Sequence, residues 1–190
     1  MKDILYKYMS RWTTLSKEDQ QAIVNEIRLE EFSKGTVLFN QGDIPTACYF
    51  ILKGCVRQYS IDADGREVTS NFYTEEQAIA IFSHHKQDKS SDYTFVCAED
   101  SVMVVGALDK EQDMYTKHPQ LESMTRRMME ENFSQVQDEF AAFIASSPEE
   151  RVKTLLMKRR SLIDRVPQHQ LASYLGITPE SLSRIKKRIQ

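Results

Sequence analysis

The sequence predicts an α+β chain in three parts: an antiparallel β-roll of jelly-roll type, a long helix, and a compact pair of helices at the C-terminus. Three observations carry this. Between Phe32 and Leu108 short β-rich runs alternate with turn signals, and after Pro119 a helical period continues without a breaker to Ile144. The last stretch, "LASYLGITPESLSRIKKRIQ" (171–190), sets a glycine between two apolar patterns of helical period. The boundaries this places are 1–110 for the roll, 111–146 for the long helix and 147–190 for the terminal unit.

Each element has its own signal. In the first thirty residues Ile4, Leu5, Tyr8, Met9 and Trp12 share one helical face, and Ser16 with Asp19 caps a second helix carrying Ala22, Ile23 and Ile27, so these helices are expected to form a lid. The strand candidates follow as "TVLF", "CYFIL", "CVRQYSI", "EVTSNFY", "YTFVCA" and "SVMVVGAL". Gly35, Gly42-Asp43, Gly54 and Asp64-Gly65 supply the positive backbone angles that reverse strands, and several such strands close together imply a sandwich or jelly roll.

Within the long helix Met129, Phe133, Val136, Phe140 and Phe143 step by 4, 3, 4 and 3, the spacing of a seam that pairs two helices. A seam of large apolar residues is costly to leave wet, which points to a homodimer; packing of the helix on its own roll is the alternative. The run "SSPEE" then combines Ser147 and Glu150 as a capping box with Pro148 at the first helical position. A new helix starts there, carrying Val152, Leu155 and Leu156 inward.

Charge changes sign at the same place. The whole chain carries a formal charge of −3, yet from Pro148 onward ten Lys and Arg stand against four Asp and Glu. A small basic unit on an acidic body implies a polyanionic partner, or a charge-balanced contact between two copies. Cys48, Cys55 and Cys97 are odd in number and lack CxxC spacing, which argues against a disulfide framework and a zinc finger and for buried, reduced thiols. No apolar run approaches the ~18 residues of a membrane span and no signal-peptide pattern opens the chain, so the protein is expected in the cytoplasm without a membrane partner.

The terminal segment has the packing pattern of a helix-turn-helix. Leu171 and Leu175 point into a small core, Ala172 lets two helices cross closely, Gly176 turns the chain, and Ile177, Leu182 and Ile185 complete the apolar set. Thr178 is a good N-cap and Pro179 a good first residue for the second helix, whose shape fits the DNA major groove. With Leu182, Ile185 and Ile189 inward, Glu180, Ser181, Ser183, Arg184 and Lys187 face outward. An Arg can hold guanine with two hydrogen bonds and a Glu can accept from cytosine. Lys186, Lys187 and Arg188 are candidates for phosphates, and Gln168, His169 and Thr178 complete the candidate DNA-binding set. Helix-dipole placement and an i,i+4 pair between Glu180 and Arg184 explain the individual charges without DNA.

The run "FSKGTVLFNQGDIPTACYFILKGCVRQY" resembles the opening strands of the cyclic-nucleotide-binding β-roll, in its glycines and in its Tyr49-Phe50-Ile51 strand. With the long helix and terminal helix pair in this order, the chain resembles the CRP/FNR family of bacterial transcription regulators over nearly its whole length. "ESLSR", Glu180 to Arg184, is similar to the recognition-helix signature of FNR-type members. The resemblance implies that Glu180, Ser183 and Arg184 read the bases of a TTGAT-like half-site, and that a dimer binds an inverted repeat of double-stranded DNA. It also implies RNA polymerase as a partner and a small-molecule effector whose identity the sequence does not give.

The chain departs from the family pattern in places. Counting back from Ala98, Asp92 stands where the phosphate-binding Arg of cyclic-AMP-binding members belongs and Tyr93 where their Ser belongs. With Glu75 and Gln77 these form a degenerate ligand pocket that is not expected to hold a cyclic phosphate, although an alignment gap would bring His84, His85, Lys86 or Lys89 near it. No Cys precedes Cys48, so an iron–sulfur cofactor is not expected, and His84-His85 alone is a weak metal signal; no cofactor or metal is assigned. The family's wing hairpin is not found before Gln190, and a degenerate family member acting as a ligand-sensing or protein-interaction module is the alternative function. No catalytic motif such as GxSxG, a P-loop or HExxH occurs, so no enzymatic activity is expected.

Overall fold

In the computed structural model, which describes residues 2–13, 15–79 and 88–189, two helices precede the strands: α1 (Lys2–Trp12) and α2 (Lys17–Glu26). The Ser16 side chain accepts from the Asp19 N–H and starts α2, as the capping pair implies. Eight strands follow: β1 (Arg28–Phe32), β2 (Val37–Phe39), β3 (Ala47–Lys53), β4 (Val56–Ile61), β5 (Glu67–Tyr73), β6 (Ala78–Ile79), β7 (Thr94–Cys97) and β8 (Ser101–Ala107). They form two four-stranded antiparallel sheets, ordered β1-β8-β3-β6 and β2-β7-β4-β5. Two of these were not legible in advance. β1 begins inside the stretch read as helical, and β6 is only two residues long; neither offers a run of alternating apolar residues.

Phe39, Ile51, Val56, Ile79, Phe95, Cys97 and Met103 fill the space between the sheets. β3 is buried on both faces, so neighbouring Ile51 and Leu52 are both removed from solvent on opposite sides. Ile51 enters the roll, whereas Leu52 lies under the lid, against Leu5, Met9, Ile23, Val24 and Met124. Arg57 of β4 is a buried charge on the strand face opposite Val56, the face it shares with its cross-strand neighbour Phe72. Its Nε donates to Thr69 Oγ1 at 2.9 Å, its guanidinium pairs with Glu67 and lies 4.4 Å over the Tyr59 ring, which compensates its desolvation.

The remaining elements are helical: α3 (Glu111–Lys117), α4 (Pro119–Ala145), α5 (Pro148–Lys158), α6 (Leu162–Arg165), α7 (Gln168–Leu175) and α8 (Pro179–Ile189). α4 runs 27 residues; its start packs under the lid through Met124, and its far half leaves the roll. The four C-terminal helices surround a core of Val152, Leu155, Leu162, Val166, Leu171, Ala172, Leu175 and Leu182, into which Cys55 and Phe72 of the roll also insert. No helix among the described residues is long and apolar enough to cross a membrane.

Candidate nucleic-acid interface

Local chemistry fixes the C-terminal helices. At the start of α5 the Ser147 side chain accepts from the Glu150 N–H while the Glu150 carboxylate accepts from the Ser147 N–H, the reciprocal capping box that the sequence implies. Gly176, at φ +67°, ends α7 in the left-handed conformation, and its N–H returns to the last turn of that helix. Thr178 then accepts from the Ser181 N–H at 3.2 Å to begin α8, and Gln168 at the start of α7 donates to the Pro179 carbonyl at 3.1 Å. The two helices are thus joined at both ends of the turn.

α8 buries Leu182 and tucks Ile185 and Ile189 against the core. Glu180, Arg184, Lys187 and Arg188 are exposed, with Ser181, Ser183 and Lys186 partly covered; Gln168, His169 and Thr178 are exposed as well. The structure therefore gathers the candidate DNA-binding residues on the terminal pair of helices, with polar groups at the surface. Arg184 donates to Ser181 Oγ at 3.3 Å, and Ser181 also accepts from Thr178, which orders the base-reading candidates into one string. The Glu180 carboxyl is held below its usual value by its own backbone N–H, by Thr178 and by Arg184, so it stays an acceptor. Arg188, a candidate for phosphates, is paired here with Glu149 on α5, a carboxylate that also holds Lys153 at 2.9 Å.

On α4 the apolar stripe is uncovered. Phe133, Val136, Phe140 and Ile144 retain 65%, 60%, 65% and 64% of their surface, far above what a solvated helix normally shows in consecutive turns. The alternative of packing on the chain's own roll does not describe this half of the helix. Phe143 departs from the expected seam: it is half-buried beneath the Arg151 guanidinium, 4.0 Å from its ring, and Ile144 takes the place next to Phe140. Met129 is partly covered at the near end of the stripe.

One feature had no local signal in the sequence. The terminal unit is docked on the end of the roll by a set of arginine contacts. Arg165 grips both oxygens of Glu75 at 2.9 and 2.8 Å, reaches Glu99, and donates to the Gly54 carbonyl at 2.7 Å. Gly54 is held in the left-handed region, and a Cβ there would lie 2.6 Å from that of Ser101, so the turn admits no side chain. Arg159 donates to the Phe72 carbonyl and to Asn71, and Ser173 of α7 accepts from the Thr69 N–H at 2.9 Å along the edge strand β5. An edge strand with open N–H groups is capped in this way by a helix.

That docking redefines part of the expected ligand pocket. Glu75 accepts from the Gly54 N–H and from Arg165 and so belongs to the docking site. Burial raises its carboxyl, but Arg165 and the backbone donors outweigh this and hold it below the usual range. Gln77 closes its own turn by accepting from Thr74, and Tyr93 is bonded through its backbone to Ser91. A shallow groove on the roll, lined by Arg28, Ile44, Lys89, Val105 and Leu108, contains none of Glu75, Gln77, Asp92 or Tyr93. His84, His85 and Lys86 lie outside the described residues.

Cys55 and Cys97 are buried and Cys48 is half-buried; all three are free thiols. Burial pushes Cys55 up to about 12 and Cys97 up to about 11, away from thiolate chemistry. Among the described residues no group of three or more His, Cys, Asp or Glu is arranged to hold a metal ion.

Two antiparallel sheets, a lid, a long helix with an uncovered stripe and a docked basic helical unit define a cyclic-nucleotide-binding-type roll joined to a C-terminal helical module. Comparison with known proteins agrees. The cyclic nucleotide-binding domain family matches residues 29–118. The anaerobic regulatory protein of Haemophilus influenzae is 25% identical over 190 residues, spanning 93% of this chain and 73% of that protein. Among solved structures, FixK2 from Bradyrhizobium japonicum superposes with a TM-score of 0.71 at 16% identity over 86% of this chain and 84% of that one. A transcriptional regulator of the CRP/FNR family from Eubacterium rectale gives 0.68 at 19% identity, over 97% and 88%. Over most of its length the chain is thus similar to regulators of the CRP/FNR type.

Proposed function

We propose that this protein is a homodimeric, sequence-specific transcription regulator whose terminal helix-turn-helix reads an inverted repeat of double-stranded DNA and whose roll does not respond to cyclic AMP. The observation that carries the reading is the surface of α8: an acidic and a guanidinium side chain, Glu180 and Arg184, stand exposed one turn apart on a helix whose opposite face is packed into a core. In the major groove an Arg in that position holds guanine O6 and N7 and a Glu accepts from cytosine N4, each contact worth ~1–3 kcal/mol of discrimination. Ser183 lies beside them, and Lys186 and Lys187 supply sequence-independent attraction to phosphates.

The uncovered stripe of α4 supports the dimer, because Phe133, Val136, Phe140 and Ile144 of one copy meet the same residues of a second across a two-fold axis. Asp92 and Tyr93, where cyclic-AMP-binding relatives carry Arg and Ser, support a roll without cyclic-phosphate binding. RNA polymerase and an effector of unassigned chemistry complete the set of partners in this reading. Selection of bound duplexes from a random pool tests it. The expected product is an inverted repeat with TTGAT-like arms; a pool that stays random, or one enriched in single unpaired sites, contradicts it.

A further inference from the structure

Where α4 meets the terminal unit, only Ser146 and Ser147 separate it from α5, and both are extended, with ψ angles of 140° and 160°. Two residues in that conformation do not by themselves fix an angle between helices. Arg151, one turn into α5, spans the joint. Its Nε donates to the Phe143 carbonyl in the last turn of α4 at 3.1 Å, and a terminal nitrogen donates to the Leu175 carbonyl at the end of α7 at 3.2 Å. Its guanidinium lies 4.0 Å over the Phe143 ring.

Carbonyls in the last turn of a helix lack intrahelical donors and carry the negative end of the helix dipole. One planar cation therefore reaches two helix ends at once, joining the Ser146 N–H at the Phe143 carbonyl, and a cation over an aromatic face adds to the hold. Gly176 leaves the space for it: a Cβ at that position would come 3.3 Å from the Arg151 nitrogen. Two residues on, Thr178 caps α8, which begins at Pro179.

We infer that Arg151 is the positioning residue that fixes the DNA-reading helix relative to the pairing helix, and thereby sets which spacing between half-sites the dimer accepts. This deepens the proposed function and rests on it. Arg151 itself is half-buried with its donors directed at helix ends, so it does not touch DNA. It matters because two reading helices must lie about one helical turn of DNA apart, roughly 34 Å, and the joint is traversed once in each copy. A Lys keeps the charge, but its point-like ammonium lacks the fork that reaches two carbonyls.

The test is binding of the full chain, wild type, Arg151→Gln and Arg151→Lys, to inverted repeats whose spacer is varied one base pair at a time and to a single half-site. The expected result for Arg151→Gln is about a tenfold loss at the best spacing, a flattened spacing profile and an unchanged affinity for the half-site, with Arg151→Lys between. A spacing profile identical to the wild type overturns the inference, as does an equal loss on half-site and repeat. Should Arg151→Gln not fold, Arg151→Lys carries the same comparison.

A DNA-free readout separates this from the proposed function. Spin labels at Asp138→Cys and Lys187→Cys in a Cys48→Ser background, diluted with unlabelled chain, report the distance from α4 to α8. The inference requires a narrow distribution that broadens on adding Arg151→Gln; equal widths reject it. Absence of repeat binding by the wild type, with this broadening intact, rejects only the DNA-binding reading.

Discussion

Four arginines of the C-terminal unit fall into two groups with opposite uses. Arg151, Arg159 and Arg165 are partly buried and point inward, to helix ends, to strand carbonyls and to Glu75 and Glu99. Arg184, with Lys187, is exposed on α8, and it donates to a serine three residues away. The positive balance after Pro148 is therefore not one patch. Part of it builds and docks the unit, and part is left exposed on α8. What separates the groups is whether a guanidinium has several acceptors already in place, and composition alone does not show that.

The sharpest way to break the comparison is to disturb the uncovered stripe of α4, because in the proposed dimer both copies of the outward group depend on it. Phe140→Glu places a carboxylate in the seam at a cost of several kcal/mol per dimer. Light scattering should give the mass of one chain with the fold retained by circular dichroism; an unchanged dimer mass puts the interface elsewhere.

Next in size are the outward cations themselves. Arg184→Ala should reduce discrimination at one G·C pair by ~1–3 kcal/mol. Lys187→Ala should weaken all sequences alike and make the dependence of log K on log salt shallower by about 0.9. Equal behaviour of the two variants across a panel of single-base changes would remove the distinction drawn between base and phosphate contacts.

The inward group gives the smallest effect, and it depends on pH. Because the Glu75 carboxyl titrates below its ordinary value of 4.5, its pairing with Arg165 contributes stability that is fully present above that value and lost as pH falls through the lower, folded one. Acid unfolding followed by near-ultraviolet dichroism should steepen in that range for the wild type and flatten for Glu75→Gln. A Glu75→Gln curve that overlays the wild type would show the contact adds nothing.

The sequence was most readable where the physics is local. Ser16, Ser147, Gly176 and Thr178 were legible because a cap or a left-handed turn is decided within three or four residues. Strands β3, β4, β5 and β8 were legible from apolar and β-branched runs. The docking of the terminal unit on the roll was not. It joins Arg165 to Gly54, 111 positions apart, and Arg159 to Phe72, 87 apart, and no periodicity marks such a pair. Glu75 was placed in a ligand pocket for the same reason, since its partner is remote in sequence. Phe143 and Ile144 are neighbours at the end of one stripe; Arg151 on the next helix covers Phe143, and Ile144 is left open.

The most direct measurement is a pair of titrations at low and moderate salt, one on a duplex with inverted TTGAT-like arms and one on the same bases scrambled. Affinity for the repeat should exceed that for the scrambled duplex by about a thousandfold or more, with similar salt slopes for both. Equal affinities at low salt, with both curves collapsing together as salt rises, would mean that α8 attracts DNA but does not read it.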